Sequence, residues 1–272
     1  MEIDTHLDAA VFVSNYFRMT DEERAFFSFL NACCETTPTA VWLWSKFPTL
    51  KKARGGLVDF VELHQKHLLF QYDVRWIRYK FRDVFNSYSN RIGERESIEE
   101  IKSASTGTGD ERWYSFMKNF KIKMFGTYVF YLYTELLHYL CGLDIQAVLD
   151  PKTNHSVRSG LIYALGLEKQ ITCIKKGSKP TCEECEILRS GLEFLYSAVS
   201  SLNISDRHKT PWAIETTLCT YNKFNHGRRW LGFYNQRQKK ELDQTEAYTR
   251  LISDNFDWEF LRDYRFKIFG ER

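Results

Sequence analysis

The densest group of chemically active side chains lies in residues 154–160 (NHSVRSG). This segment combines a titratable imidazole, His155, with two hydroxyls and the guanidinium of Arg158. We expect a helix to begin at Ser159 or just after it. Amides at a helix N-terminus and a nearby guanidinium both favour anions, so Ser156 and Arg158 are candidates to bind a phosphate group. A polar loop with a capping serine is the alternative.

A second candidate is Glu215, in the mostly neutral residues 211–221 (PWAIETTLCTY). A buried carboxylate must be paired with a cation or have a raised pKa. If its pKa is raised, Glu215 could act as a general base near neutral pH. If it is paired with a cation, Glu215 forms a structural ion pair, which is the alternative. His155 is the other candidate to accept a proton.

Basic residues are clustered, although the net charge is only +3. From Tyr221 to Lys240 no acidic residue occurs, and basic side chains are interleaved with aromatic ones: Lys223, Arg228, Arg229, Arg237, Lys239 and Lys240 with Tyr221, Phe224, Trp230, Phe233 and Tyr234. Two further clusters are Arg75, Arg78 and Arg82, predicted to share one helix face, and Lys118, Lys121 and Lys123. Such clusters suit a phosphate backbone, and adjacent aromatics suit unstacked bases. Solvated helix faces in front of core aromatics are the alternative.

Metal and nucleotide motifs are weak. Cys173, Cys182 and Cys185 follow the spacing C-x8-C-x2-C, but metal sites usually have four ligands, and we predict no metal. The pair His64-x-x-His67 has no nearby carboxylate of the metalloprotease type. The sequence contains no P-loop, dinucleotide glycine motif, G-x-S-x-G or H-E-x-x-H.

Composition indicates an ordinary globular chain of 272 residues with an unusual aromatic share of 16%. Seven cysteines are too few for a disulfide scaffold, and the opening residues 1–4 (MEID) are acidic where a signal peptide is basic. We therefore expect a cytoplasmic protein. The apolar segment Met124–Cys141 is interrupted by Glu135 and His138, which favours a buried helix over a membrane span.

Helix signals outnumber strand signals, and we predict an all-α fold. Capping boxes are predicted at Thr20–Glu23, Ser97–Glu100 and Thr181–Glu184, and Thr37 and Thr210 each precede a proline suited to a first helical position. Residues 112–141 carry a helical stripe that predicts one long helix or two abutting ones. Breaks fall at 103–110, 150–160, 175–180 and 203–210. We predict one α-helical domain over residues 1–272, with two interdigitating lobes that divide near 103–110.

Two stretches carry a more specific pattern. Residues 21–48 (DEERAFFSFLNACCETTPTAVWLWSKFP) combine an acidic-Arg helix, a short link, Pro-Thr-Ala, an aromatic helix and Phe-Pro. Residues 215–241 (ETTLCTYNKFNHGRRWLGFYNQRQKKE) combine Glu, Leu-Cys, Tyr-Lys, a basic-aromatic pair and Gly-aromatic-Tyr-x-x-Arg. Both resemble the amino acid:DNA transferases of bacteriophages, also described as α-glutamyl/putrescinyl-thymine pyrophosphorylases. Residues 125–137 and 155–160 are consistent with the intervening blocks. The last motif of the family often reads Tyr-x-Asp-Arg, and Gln236 stands here at the acidic position.

The resemblance implies a helical bundle like the helix-hairpin-helix DNA glycosylases and a reaction on double-stranded DNA bearing modified thymine. An amine (glycine, serine, glutamate or putrescine) would replace the pyrophosphate of 5-pyrophosphoryloxymethyl-deoxyuridine, in a phage-infected bacterial cell and without a cofactor. Glu215 and Arg237 follow the family motif as catalytic residues, and His155 is added from the residues alone.

The remaining candidate residues fall into two sets. Pyrophosphate or the flipped base would contact Arg158, Ser156, Arg228, Arg229, Tyr234 and Trp230. The DNA backbone would contact Arg75, Arg78, Arg82, Lys118, Lys121, Lys239 and Lys240. Two alternatives stay open: a helix-hairpin-helix glycosylase or lyase that excises a modified base, and a helical DNA-binding protein without chemistry.

Overall fold

The computed structural model describes residues 5–34, 36–70, 75–173, 179–228 and 232–270. Every regular element in these ranges is helical, and they contain no strand. The α-helices are α1 (Thr5–Tyr16), α2 (Asp21–Cys34), α3 (Thr37–Lys46), α4 (Leu50–Ala53), α5 (Leu57–His64), α6 (Arg75–Tyr79), α7 (Phe81–Ile92), α8 (Ser97–Ala104), α9 (Asp110–Asn119), α10 (Thr127–Cys141), α11 (His155–Ala164), α12 (Cys182–Ser201), α13 (Pro211–Asn225), α14 (Phe233–Leu251) and α15 (Glu259–Phe269), with a 3-10 turn at Asp206–Lys209. The all-α prediction is confirmed. A hairpin arrangement of the glycosylase type stays a prediction.

The chain forms two compact units. The smaller unit contains Ala147–Phe233, and the larger unit contains Thr5–Gln146 together with the chain from Tyr234 onward. Residues 103–110, where the sequence places a lobe boundary, connect α8 to α9 inside the larger unit.

Aromatic side chains fill the core of the larger unit. Phe29 on α2 stacks on Tyr88 of α7 with ring centroids 3.9 Å apart, and Phe116 stacks on Phe120 at 4.9 Å. These four rings are fully buried or nearly so. Offset and edge-on ring pairs add about 0.5–1.5 kcal/mol each beyond the area that they bury. Most of the aromatic excess in this unit therefore serves packing.

The stripe over residues 112–141 is two helices, α9 and α10, separated by seven residues. Glu135 and His138 lie within α10, which packs against α2. Among the described residues, no helix is both long enough and apolar enough to cross a membrane.

The predicted caps at Thr20, Thr181 and Thr210 are confirmed. Glu23 accepts from the amide of Thr20 at 2.9 Å, and the amide of Glu23 donates to the Thr20 hydroxyl at 3.3 Å. Thr181 and Glu184 form the same reciprocal box at the start of α12. Thr210 caps α13 by accepting from the amide of Ala213, and Pro211 takes the first helical position as predicted.

Two capping predictions are wrong. Ser97 forms no box with Glu100; its amide and its hydroxyl each donate at 2.7 Å to the carboxylate of Glu22 on α2. Glu100 instead accepts from Arg91 and Arg95. The cap of α3 is Thr36, so Thr37 already belongs to the helix.

Candidate active-site residues

In the smaller unit, α11 begins at His155, four residues earlier than predicted. Asn154 is its N-cap and accepts from the amide of Val157 at 3.1 Å. His155 and Ser156 are therefore the first two helical residues, and both are half-buried. The hydroxyl of Ser159, one turn further along, lies 3.2 Å from His155 Nδ1. This contact orients the predicted base at the N-terminus of a helix.

Arg158 lies on α11 and its side chain is bonded to main-chain carbonyls. Its side chain is buried, with 3% exposed. The guanidinium donates from Nε to the carbonyl of Cys173 and from one terminal nitrogen to the carbonyls of Pro151 and Lys152, each at 3.1 Å. These bonds tie two loops to α11 and give Arg158 a structural role. Its contact with pyrophosphate stays a prediction.

Glu215 lies on α13 with 8% of the residue exposed, as its neutral surroundings in the sequence predict. Helix α13 packs directly on α11. The two backbones approach so closely that a Cβ on Gly160 would lie 2.3 Å from the carbonyl oxygen of Leu218. Only glycine permits this approach, which brings the middle of α11 against the middle of α13.

Around Glu215 the close packing assembles a polar cluster that the sequence reading missed. The Cys219 thiol lies one turn after Glu215, within hydrogen-bonding reach of Ser156 and Lys223. Burial raises the pKa of that thiol, and the charge of Glu215 raises it further, whereas Lys223 lowers it. Helical spacing from Glu215 to Cys219 and Lys223 could have suggested this cluster; the contribution of Ser156 depends on how α11 packs.

The end of α13 carries exposed basic and aromatic groups. Arg228 is exposed, and its amide closes the helix by donating to the carbonyl of Lys223 at 2.8 Å. Tyr221 and Phe224 expose 43% and 54% of their surfaces. Arg229 and Trp230, which the sequence also predicts here, lie outside the described residues.

In the larger unit, Arg237 forms an ion pair with Glu241 one turn later on α14, with Nε and Oε1 2.9 Å apart. The two side chains are mostly buried, with 24% and 15% exposed. Burial raises the pKa of the Glu241 carboxyl from 4.5 to about 7, against the opposing charge of Arg237. The pair therefore contains a carboxyl able to exchange a proton near neutral pH.

His6 and Thr37 accompany this pair. His6 is on α1; burial and, to a smaller extent, the charge of Arg237 lower the pKa of its imidazole to about 3. His6 Nδ1 lies 3.3 Å from the Thr37 hydroxyl at the start of α3. At neutral pH the imidazole is thus uncharged and adds no second cation beside Arg237.

A small cleft lies beside these residues, with room for about one water molecule. It is lined by Ala9, Thr37, Pro38, Gln238, Leu242, Leu261, Tyr264 and Arg265. The buried guanidinium of Arg265 donates to Gln238 Oε1 at 3.1 Å and to Asn235 Oδ1 at 2.8 Å. Tyr234, the predicted base-stacking residue, is half-buried at the start of the same helix α14.

The predicted DNA-contacting face of Arg78 and Arg82 is interrupted. Lys80 separates α6 from α7, so these arginines are not on one continuous helix. Arg82 is bound by two carboxylates of α5, with its nitrogens 2.6 Å from Glu62 and 3.0 Å from Asp59. Arg78 lies against the ring of Tyr79, with the guanidinium carbon 4.6 Å from the ring centroid. The side chain of Arg75 is outside the described part.

The predicted lysines differ in their surroundings. Lys118 and Lys121 are exposed around the end of α9, and Lys240 is exposed on α14. Lys239 is held by Asp243 at 2.8 Å. Exposed lysines match the predicted contact with a phosphate backbone more closely than the ion-paired Arg82 and Lys239 do.

The described residues contain no group of three or more histidine, cysteine or acidic side chains arranged to hold a metal ion. Cys173 and Cys185 are buried, whereas Cys182 is exposed. His64 is engaged elsewhere, because its Nδ1 lies 2.6 Å from the Tyr248 hydroxyl.

In comparisons with known proteins, no family model, no curated protein and no solved structure matches this chain. The resemblance to the phage transferases therefore rests on residues 21–48 and 215–241.

Proposed function

We propose that the protein is an amino acid:DNA transferase that attaches an amine to 5-pyrophosphoryloxymethyl-deoxyuridine in double-stranded DNA. One observation carries the proposal. Parts of the two blocks of the resemblance meet inside the larger unit: Thr37 and Pro38 of the first block line one cleft with Gln238 of the second block, 200 positions after Pro38 in the sequence. Blocks that form a site are expected to meet in this way, whereas chance resemblances are not.

The reaction needs a cation and a base. The amine nitrogen attacks the 5-methylene carbon, the carbon–oxygen bond breaks, and pyrophosphate leaves with the electron pair. Guanidinium groups stabilise the charge that develops on the leaving oxygen; Arg237 is the candidate for this in the larger unit, and the exposed Arg228 is the candidate in the smaller unit. The amine must also lose a proton, for which Glu241 is the candidate in the larger unit and Glu215 and His155 are the candidates in the smaller unit.

Access to the base requires that it leave the helical stack. Exposed aromatic side chains can stack on an extruded base at about 1–3 kcal/mol per base, and Tyr221 and Phe224 are exposed within the basic segment. The exposed Lys118, Lys121 and Lys240 would neutralise backbone phosphates.

A transfer assay tests the proposal. The protein is incubated with DNA containing 5-pyrophosphoryloxymethyl-uracil and, separately, glycine, serine, glutamate or putrescine. Released pyrophosphate is measured, and the DNA is digested to nucleosides for mass spectrometry. We expect an amine adduct and one pyrophosphate per adduct. Glu215→Gln tests one of the three candidate bases: a fall in turnover of about 100-fold or more with DNA affinity retained would identify Glu215 as the proton acceptor, and full turnover would leave His155 and Glu241. Glu193→Gln, at an exposed position on α12 of the same unit, is the matched control and should react like the unmodified protein.

The alternatives give different products. Abasic sites in place of an adduct would indicate a glycosylase or lyase. Salt-sensitive DNA binding with neither product would indicate a binding protein. Either outcome contradicts the transferase proposal.

A further inference from the structure

The ion pair between Arg237 and Glu241 has a geometry that allows an incoming anion to replace Glu241 as the partner of Arg237. It is a single bond from the guanidinium Nε to one carboxylate oxygen. The strongest guanidinium contacts are bidentate, with two parallel N–H donors to two oxygens of one anion. A pyrophosphate group can form that bidentate contact, and it carries more negative charge than a carboxylate. It can therefore displace Glu241 from Arg237.

The surroundings leave Arg237 as the group that sets the charge of Glu241. Helix α1 presents His6, which is neutral at neutral pH, and α3 presents the hydroxyl of Thr37. Helix α15 presents Arg265, whose guanidinium is bonded to Asn235 and Gln238 on α14. The influences that act on Glu241 are burial first and Arg237 second.

These two influences oppose each other. Burial favours the protonated carboxyl, and Arg237 favours the carboxylate. If an anion takes Arg237 away, only burial remains, and Glu241 becomes a stronger base. Anion binding and proton uptake are thus coupled by thermodynamic linkage.

We propose that Arg237 and Glu241 form an anion-coupled proton acceptor: the pyrophosphate group takes the guanidinium of Arg237, and the carboxylate of Glu241 then takes a proton from the incoming amine. This inference deepens the proposed function and rests on it. The reaction needs no further reactant. An N–H bond of the ammonium breaks and an O–H bond forms on Glu241. The nitrogen–carbon bond then forms as the carbon–oxygen bond breaks, and pyrophosphate leaves with the electron pair, bound to Arg237. When pyrophosphate dissociates, the guanidinium returns to Glu241 and the proton passes to solvent.

The test is calorimetric titration of the full chain with inorganic pyrophosphate at pH 7.5, in buffers of different ionisation enthalpy. The comparison is between the unmodified protein and Glu241→Gln, so that protons taken up by pyrophosphate itself cancel. We expect the unmodified protein to take up about half a proton more per pyrophosphate, since losing a paired guanidinium raises the pKa of a carboxyl by about 1–3. Glu241→Gln should bind pyrophosphate at least as tightly, because Arg237 is released from its partner. Arg237→Gln should bind it about tenfold more weakly or worse.

Asp243→Asn is the matched control, since Asp243 is paired with Lys239 at the same spacing on the same helix, and it should leave the proton uptake unchanged. Equal proton uptake by Glu241→Gln, undiminished binding by Arg237→Gln, or no binding of pyrophosphate by the unmodified protein would each overturn the inference. Coupled uptake in a protein that transfers no amine supports the anion-coupled pair and contradicts only the proposed function. Amine transfer without coupled uptake contradicts only the pair.

Discussion

The close approach of α11 and α13 can be tested by adding one methyl group. In Gly160→Ala the new Cβ would lie 2.3 Å from the oxygen, 2.6 Å from the carbon and 2.7 Å from the Cβ of Leu218. Ordinary contacts of a Cβ begin at 3.4 Å, so the two helices must separate by about 1 Å. Two of these three atoms belong to the backbone of α13 and cannot move away by a side-chain rotation.

The expected cost follows from two opposing effects. Forcing an extra methyl into a packed interface costs about 1–3 kcal/mol, and a rigid backbone contact belongs at the upper end. Alanine gains about 1 kcal/mol over glycine inside a helix. We expect Gly160→Ala to lower the free energy of unfolding by about 2 kcal/mol.

Gly191→Ala is the matched control, because Gly191 also lies inside a helix of the smaller unit, α12. Its new Cβ would meet Leu165 Cδ1 at 2.8 Å, the end of a side chain that can rotate. The helix-propensity gain should dominate there, and we expect stabilisation of up to about 1 kcal/mol.

Urea unfolding followed by far-ultraviolet circular dichroism measures both variants. The two substitutions are chemically identical, and the structure predicts opposite signs for them. If Gly160→Ala is as stable as the unmodified protein or more so, the two backbones do not approach as described. The contact between Ser156 and Cys219 would then lose its basis too, because the same packing brings it about.

Three further outcomes are expected. Arg158→Met should lower the free energy of unfolding by about 3 kcal/mol in urea titrations, because it leaves buried carbonyls without donors; normal stability with weakened pyrophosphate binding would contradict the structural role and favour the predicted ligand-binding role. For Glu241, the raised pKa means that its stabilising contribution is present below pH 4.5 and lost as the pH rises through about 7. The stability of the unmodified protein relative to Glu241→Gln should therefore fall by about 3 kcal/mol between pH 4 and pH 8, and a constant difference would contradict the raised pKa. Replacing Lys118 and Lys121 by alanine should reduce the salt dependence of DNA binding by about two ions, whereas Arg82→Ala, which removes an arginine already bound to carboxylates, should not; equal effects would show that these surroundings do not decide DNA contact.

The sequence predicts those features of the fold whose causes are local. The capping boxes at Thr20 and Thr181 depend on residues three positions apart, and both form. The box at Ser97 has the same local pattern but does not form, because Glu22 reaches the same amide and hydroxyl from α2. A partner 75 positions away in the sequence leaves no trace in a four-residue pattern.

In the candidate sites, too, features with local causes can be predicted from the sequence, and features that depend on tertiary packing cannot. Arg237 can be singled out from its place in a basic, acid-free segment, and Glu241 could have been found one turn later by helical spacing. The raised pKa of Glu241 could not have been predicted from the sequence, since it depends on burial by helices that are distant in the sequence. His6 gives no sequence signal, because its neutral state depends on the same burial.

Three arginines show why charge clusters overstate what a sequence can say about function. Arg158 is bound by main-chain carbonyls, Arg82 by two carboxylates and Arg237 by one carboxylate through a single bond. All three contribute equally to the net charge. Only for Arg237 would an incoming anion gain a bidentate contact and displace a partner that can be neutralised by a proton near pH 7. The partner, and the free energy needed to replace it, decides whether an arginine can serve a substrate, and the partner is a property of the folded chain.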